Sequence, residues 1–246
     1  MHLDPEPMKS ADIIDLDGNA LMQFWFEGVT EQLTVKVSST VETYQTNPFN
    51  YLLESWAMNL PIDYPSSLYI QLEPYWRSRQ VPIDPEAIRL AQEIERDTNS
   101  NTLKFLSVLT QRIYENCQQV VRERGNPWSA GVTWREKRGS CRDVSILFME
   151  ACRAVGLAAR FVSGYQEGDP DTQDRDLHAW VEVYLPGGGW RGYDPTHGLA
   201  VGDRHVALVA SPNPAYAAPI SGTVTPITPG KAIASEMEFQ LSIDVE

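Results

Sequence analysis

The segment that decides the fold reads Arg138-Gly139-Ser140-Cys141-Arg142-Asp143, and it predicts the start of a helix. Apolar residues follow at helical spacing and give a helix over residues 140–155 one inward face: Val144, Leu147, Phe148, Ala151 and Val155. Cys141 precedes Val144 by three residues and shares that face. Free backbone N–H groups at a helix start favour a thiolate over a thiol. The position indicates a nucleophile, although a small buried cysteine is the commoner fate of a lone thiol.

A histidine and an aspartate lie on strands that are predicted downstream. The strands cover residues 159–165, 177–184 and 190–194, and the run Pro186-Gly187-Gly188-Gly189 supplies the turn between the last two. A five-residue connection would set Val183 opposite Gly189. The same register sets His178 opposite Asp194, with both side chains on one face of the sheet.

A cysteine, a histidine and an aspartate in this arrangement suit nucleophilic acyl transfer. The thiolate of Cys141 would attack an amide carbonyl, and His178 would protonate the leaving amine. Asp194 would orient the imidazole and stabilise its positive charge. Cys141, His178 and Asp194 are therefore predicted as nucleophile, base and orienting acid of a catalytic triad.

The same motifs resemble a known family, the bacterial transglutaminase-like superfamily. The similarity covers residues 100–200 and is carried by Gly139-Ser140-Cys141-Arg142-Asp143, residues 147–165, His178-Ala179-Trp180-Val181-Glu182-Val183 and Gly189-Trp190-Arg191-Gly192-Tyr193-Asp194-Pro195-Thr196. The resemblance implies an α+β, papain-like fold, in which a helix bearing the cysteine packs on an antiparallel sheet bearing the histidine and the aspartate. It also implies catalysis by Cys141, His178 and Asp194, as in the many bacterial members that are described as cysteine proteases.

Three regions are expected along the chain. Residues 1–90 form a β-rich N-terminal region, residues 91–200 the catalytic core, and residues 201–246 C-terminal loops with a closing strand packed on the core. The early segments 17–19 and 33–37 resemble the N-terminal region of the family. Because that region usually begins with further strands, we expect it to be short at its start here.

The elements of these regions follow from periodicity and turn residues. Residues 22–26 and 33–41 are predicted to pair as a hairpin with one buried face, and residues 46–88 to be mainly connecting loops. A helix is predicted from residue 103 to about 124, with caps at 99–102. The closing strand is predicted at residues 237–245.

Composition excludes several classes of function. A formal net charge of −13 disfavours binding to nucleic acid and to anionic membranes. No apolar run approaches the roughly 20 residues that span a bilayer, and the N-terminus lacks a signal-peptide pattern. Three widely spaced cysteines are typical of a reducing compartment. We therefore expect a cytoplasmic protein that acts on a peptide or protein substrate, while the oligomeric state stays open.

No cofactor and no metal are expected. No further Cys or His stands at the spacing of a zinc site. Animal transglutaminases of this superfamily use calcium, but no loop of this chain has the spacing of a dedicated calcium site.

Other residues near the motifs were weighed for a role in the site. Trp134 could donate its indole N–H to an oxyanion, but it also fits a packing residue. His197 is a rival base or a surface or substrate contact. His205 could line the cleft mouth, but it fits a solvated loop histidine better. Arg142 and Asp143 are expected to form an ion pair at the helix start. Two further cysteines lie on helix stripes and are interpreted as core residues: Cys117 and Cys152.

Three functions remain compatible with these residues. The first is hydrolysis of a peptide or isopeptide bond through a Cys141 thioester. The second is a protein-glutamine transglutaminase, in which an amine accepts the acyl group. The third is a catalytically idle module that binds peptides in the same cleft, which retention of the three catalytic residue types disfavours.

Overall fold

The protein is described here by a computed structural model covering residues 1–76, 82–122, 125–167, 177–228, 233 and 235–244. The N-terminal part contains the strands β1 (His2–Asp4), β2 (Lys9–Ile14), β3 (Ala20–Trp25) and β4 (Thr34–Lys36). The helices α1 (Ser66–Trp76), α2 (Pro85–Asp97) and α3 (Thr102–Asn116) follow. The central part contains β5 (Gln118–Gln119), α4 (Ala130–Glu136), β6 (Arg138–Gly139) and α5 (Cys141–Ala154). The last strands are β7 (Ala159–Gln166), β8 (Leu177–Leu185), β9 (Gly189–Asp194), β10 (Leu199–Ala200) and β11 (His205–Ser211).

An antiparallel sheet and the helix α5 form the centre of the fold. Within the described residues, the sheet has five strands in the order β10-β9-β8-β7-β11. Alternate residues of β8 bury their side chains in the main core against α5: Ala179, Val181 and Val183. The opposite face of the sheet buries a smaller cluster: Val162, Trp180 and Ala210. The predicted α+β fold, with the cysteine helix packed on an antiparallel sheet, is confirmed.

The predicted elements of the core agree closely with the structure, but one register is wrong. Helix α5 and the strands β7, β8 and β9 lie within two residues of their predicted bounds. The turn between β8 and β9 is shorter than expected, because Leu185 rather than Val183 pairs with Gly189. The register is therefore shifted by two residues. A shift of two preserves the face, so His178 and Asp194 still point to the same side.

The helix after residue 100 is shorter than predicted. Asn101 caps α3 by accepting the N–H of Lys104, as the cap residues indicated. The helix then ends at Asn116 instead of near 124, and residues 123–124 lie outside the described residues. The next backbone N–H groups, those of Gln118 and Val120, donate to carbonyls of the segment that precedes α5. These tertiary hydrogen bonds replace the helical ones, which local periodicity could not reveal.

The predicted N-terminal hairpin is wrong in its pairing and its burial. Strand β3 pairs with β2, and β4 pairs with β1. The turn between β2 and β3 forms because the Asp15 carboxylate accepts the N–H groups of Asp17 and Asn19. The apolar side chains of the predicted hairpin face are largely exposed, among them Met22, Leu33 and Val37. The alternation of apolar and polar residues in β3 fits pairing with either the preceding or the following segment. The turn at Asp15 favours pairing with the preceding strand, β2.

Two further expectations outside the core are also wrong. Residues 66–76 form α1, and α2 begins at Pro85, where loops were predicted; residues 77–81 lie outside the described residues. Helix α1 is stabilised by burying Leu72 and Trp76, not by a strong amphipathic pattern. The described residues 235–244 contain no strand, and their side chains are mostly exposed.

Candidate active site

A network of hydrogen bonds fixes the start of α5, where Cys141 is the first residue. The N–H and the hydroxyl of Ser140 both donate to Asp143 Oδ2, at 2.8 and 2.9 Å. The Arg122 guanidinium donates to both oxygens of the same carboxylate. Burial raises the pKa of Asp143, but the Arg122 contact and the backbone hydrogen bonds outweigh it and hold that pKa below its usual range. Asp143 therefore pairs with Arg122, and the expected ion pair with Arg142 is wrong.

His178 lies between Cys141 and Asp194, the residues predicted as nucleophile and orienting acid. Its Nε2 atom is 2.8 Å from Asp194 Oδ2, and the Cys141 side chain lies close enough to the ring to help raise its pKa. The Ser145 hydroxyl, one turn into α5, donates to the carbonyl of Ala179 at 3.1 Å. This bond joins α5 to β8 one residue beyond His178.

The charge on the imidazole follows from these contacts. Burial by itself lowers the pKa of His178, because it penalises the imidazolium. The hydrogen bonds to Asp194 and Cys141 outweigh burial and raise the pKa of His178 to about 10. The ring is therefore an imidazolium at neutral pH.

The Asp194 carboxylate is fully buried and saturated with donors. Oδ1 accepts the backbone N–H groups of Thr196 and His197, at 2.9 and 3.3 Å. Oδ2 contacts three imidazoles, those of His178, His197 and His205, at 2.8, 2.9 and 3.0 Å. Burial raises the pKa of Asp194, but the three histidines outweigh it and hold the pKa well below its usual range. The carboxylate is therefore charged at neutral pH.

The structure places both remaining candidate histidines against this carboxylate. His197 Nδ1 bonds to Asp194, and the His197 side chain is 35% exposed. His205 is not the solvated loop residue that we expected, because it begins β11 and its side chain is only 2% exposed. The signal that identifies β11 is the largely apolar run of residues 205–210, which favours a strand.

Comparison with known proteins agrees with this geometry. Residues 88–195 match the family model of the transglutaminase-like superfamily. This chain carries a transglutaminase-like domain. An uncharacterized protein of Mycobacterium tuberculosis is 27% identical over 238 residues, which cover 90% of this chain and 74% of that protein. A protein-glutamine gamma-glutamyltransferase of Pseudomonas aeruginosa is 26% identical over 187 residues, or 70% of this chain and 27% of that enzyme.

A solved structure supports the fold assignment of the transglutaminase-like domain. A candidate cysteine protease from Cytophaga hutchinsonii superimposes with a TM-score of 0.52 at 25% sequence identity. The match covers 66% of this chain and 53% of that structure, so this chain spans about half of its length. In the described part of this chain, no helix is long and apolar enough to cross a membrane.

The other two cysteines, Cys117 and Cys152, differ from Cys141 in their surroundings. Burial raises the pKa of Cys117 to about 11, despite the nearby Lys137 ammonium. Cys152 is completely buried in the core, which raises its pKa well above the usual value. Cys152 is therefore a core residue as predicted, while Cys117 is half-buried at the end of α3.

Trp134 lies on α4, half-buried against the core, with the Lys137 ammonium over its ring. The indole is thus a packing residue in this structure. Its role as an oxyanion donor stays a prediction.

One group of side chains in the described residues could hold a metal ion. His178, Asp194 and His197 place ligand atoms within 4.8 Å of one another. The same atoms are hydrogen-bonded to each other at 2.8 and 2.9 Å, so the hydrogen bonds alone account for the arrangement. The expectation that the transglutaminase-like domain needs neither metal nor cofactor stays a prediction.

Proposed function

We propose that this protein is a cysteine-dependent enzyme that cleaves amide bonds in peptides or proteins through a thioester on Cys141. One observation carries the proposal, namely that a buried His178 contacts both the Cys141 thiol and the Asp194 carboxylate. A histidine held between a thiol and a charged acid provides a nucleophile, a proton donor and an orienting group in one chain of contacts. The match of residues 88–195 to the family model of the transglutaminase-like superfamily supports the same chemistry.

The first half-reaction uses the resident charges of the site. The Cys141 thiolate forms a C–S bond to the amide carbonyl, and the His178 imidazolium gives its proton to the leaving nitrogen as the C–N bond breaks. The amine leaves, and the acyl group remains on Cys141 as a thioester. A pKa of about 10 keeps His178 in the donor form that this step needs at neutral pH.

The second half-reaction regenerates the site. His178 is now neutral, and Asp194 keeps its ring in the orientation that accepts a proton from water. The resulting hydroxide attacks the thioester, the C–S bond breaks, and the carboxylic acid product leaves. The thiolate and the imidazolium are restored, so protons and electrons balance over the cycle.

The packing of the aromatic residues favours water over an amine as the acceptor. An amine acceptor needs an apolar tunnel that keeps it neutral and excludes water. The three rings that could line such a tunnel lie in separate surroundings. Tyr193 stacks on Phe148 in the main core, Trp180 is buried on the other face of the sheet, and Trp190 packs against Tyr75.

Transfer to an amine is the second candidate function. It is favoured by the similarity to the protein-glutamine gamma-glutamyltransferase of Pseudomonas aeruginosa, of which this chain spans about a quarter. The peptide or protein substrate and the cytoplasmic location are parts of the proposal as well.

The test is digestion of a peptide library with the full chain, followed by mass spectrometry of peptides and of the protein. The proposal predicts cleaved peptides and a Cys141 adduct that forms on substrates and decays with time. Cys141→Ala is the control, because a small residue is tolerated at a helix start. Cleavage that persists in Cys141→Ala would refute the proposal.

A further inference from the structure

We propose that His205 is a positioning residue of this site: it holds the Asp194 carboxylate through a neutral N–H donor. The inference rests on the proposed function, because it concerns the acid that orients His178. The sequence did not predict a buried contact between His205 and Asp194, and this contact crosses the sheet. Strand β11, which begins at His205, is separated from β9 by β7 and β8 in the strand order.

His205 is buried and hydrogen-bonds directly to the Asp194 carboxylate. Its side chain is 2% exposed, and its Nε2 atom lies 3.0 Å from Asp194 Oδ2. His178 bonds to the same oxygen at 2.8 Å, so the two rings approach the carboxylate together. Their ring centroids are 6.0 Å apart. A displacement of the carboxylate towards or away from His205 would therefore change the bond to His178.

The protonation state of His205 follows from its unused nitrogen. Its Nδ1 atom is buried and has no hydrogen-bond partner among the described residues. A protonated ring would bury an N–H without an acceptor, which is costly in an apolar site. The adjacent Trp180 ring, at a centroid distance of 5.2 Å, offers only another N–H, and that group is also unpaired. His205 is therefore the neutral tautomer with its proton on Nε2.

A neutral donor has a different effect on Asp194 from a charged one. It stabilises the carboxylate and fixes its position, but it adds no second positive charge that would compete with the imidazolium of His178.

A glycine in the neighbouring strand leaves room for the His205 ring beside Asp194. Gly164 on β7 aligns with His178, and a Cβ atom at Gly164 would collide with Trp180 and with the carbonyl of Val206. The missing side chain lets β11 and Trp180 close over the site.

Other titratable groups around the cluster bear on any pH readout. His205 faces Asp194 and His178, and the half-buried His197 contacts the same carboxylate. Arg204, which precedes His205, forms a surface ion pair with Glu167, with Nε and Oε2 3.5 Å apart. The Cys141 thiol is coupled to the cluster through His178.

The test compares His205→Gln with His205→Asn. The Gln amide nitrogen is as many bonds from Cα as Nε2 of histidine, so it can still donate to Asp194, whereas the Asn amide is one bond too short. Both variants place a neutral amide in the same buried position, so a purely structural role affects both. The readout is the rate of iodoacetamide alkylation of Cys141 as a function of pH.

The expected result separates the two variants. In His205→Asn the alkylation rate at pH 7 falls by roughly tenfold, the effect of losing one charge-assisted hydrogen bond. The midpoint of the pH profile moves upward, and kcat falls with KM unchanged on any substrate from the peptide library. His205→Gln retains most of the rate. Equal losses in both variants, or unchanged alkylation with only a lower melting temperature, would overturn the inference.

Two controls keep this inference apart from the proposed function. If Cys141 of the wild type is alkylated no faster at pH 7 than Cys117, the proposed function itself fails, whatever the His205 variants do. If His205→Asn does not fold, nitrogen NMR of the wild type tests the protonation state of His205 directly. The spectrum should show His205 protonated only on Nε2 and His178 protonated on both nitrogens at pH 7. A doubly protonated His205 would refute its role as a neutral donor to Asp194.

Discussion

His178 donates from Nε2 to Asp194 Oδ2 across 2.8 Å, and the acceptor is completely buried while the donor is 8% exposed. The bond joins the start of β8 to the end of β9. The register of these two strands differs by two residues from the register that the sequence predicted. Because both ends are shielded from water, the charge of Asp194 acts on the imidazole at nearly full strength.

Cys141 should react first with a limiting amount of iodoacetamide near neutral pH. Burial raises the pKa of Cys117 to about 11, and Cys152 is completely buried. Peptide mapping of the alkylated protein gives the order of labelling. Cys141→Ala is the matched control and should leave the protein almost unlabelled at the same dose. Earlier labelling of Cys117 or Cys152 would show that Cys141 is not the nucleophile.

Replacing His178 should damage the site far more than replacing His197. In His178→Ala the imidazolium beside the thiol is lost, so alkylation of Cys141 at pH 7 should slow by at least about tenfold. His197→Ala removes one of five hydrogen bonds to Asp194, from a half-buried ring, and should change the rate by no more than about threefold. Both rates are measured on folded protein, as checked by circular dichroism. Equal losses would make His197 part of the base.

Asp194→Asn should preserve the fold and lower kcat by about a thousandfold or more. The amide can present its N–H to a histidine, which disfavours the tautomer that the triad requires. Loss of the negative charge also removes the main cause of the raised pKa of His178. The measurement is kcat on a substrate from the peptide library, with His205→Gln as a control that keeps the carboxylate. Near-normal turnover in Asp194→Asn would exclude an orienting acid at this position.

The same carboxylate should contribute to stability in a defined pH window. The pKa of Asp194 is held well below its usual range, so the folded state binds its proton less readily than the unfolded chain. The stabilisation is therefore present above the unfolded value of about 3.9 and is lost as the pH falls through the lower, folded value. Urea unfolding of wild type and Asp194→Asn between pH 2 and 7 measures the difference. The difference should shrink as the pH falls below about 4; a constant difference would contradict it.

The core of the fold could be predicted because its signals are local. The apolar stripe after Cys141 sets α5, and alternation around His178 sets β8. A shift of two residues in the hairpin register did not separate His178 from Asp194, because strand faces repeat every two residues. The pairing of β2 with β3 was missed because the turn at Asp15 lies outside the expected hairpin.

The accessory part of the site could not be predicted in the same way. His205 follows a polar segment, and nothing near it in sequence indicates that β11 returns beside β7 to reach Asp194. Its role depends on the sheet order, which is a tertiary property. His197 was placed near the site because it follows Asp194 by three residues. Its bond to the carboxylate depends on the conformation of the loop after Asp194, in which the N–H groups of Thr196 and His197 donate to Asp194 Oδ1.

The last expectation concerns the fate of the acyl group. After the thioester forms on Cys141, water and an amine compete for one carbonyl. The candidate tunnel residues Trp180, Trp190 and Tyr193 are committed to separate packing sites, and the net charge of −13 attracts amines in their protonated, non-nucleophilic form. Hydrolysis should therefore dominate.

The measurement supplies glutamine-containing peptides together with an excess of dansylcadaverine. Hydrolysis predicts ammonia release or peptide cleavage with little fluorescent product, and Cys141→Ala should show neither. An added neutral nucleophile such as hydroxylamine tests access separately, because it remains uncharged near pH 7 and is not held back by the acidic surface. If hydroxylamine captures the thioester while dansylcadaverine does not, amine protonation limits transfer. Efficient Cys141-dependent incorporation of dansylcadaverine would instead make transfer to amines the principal reaction.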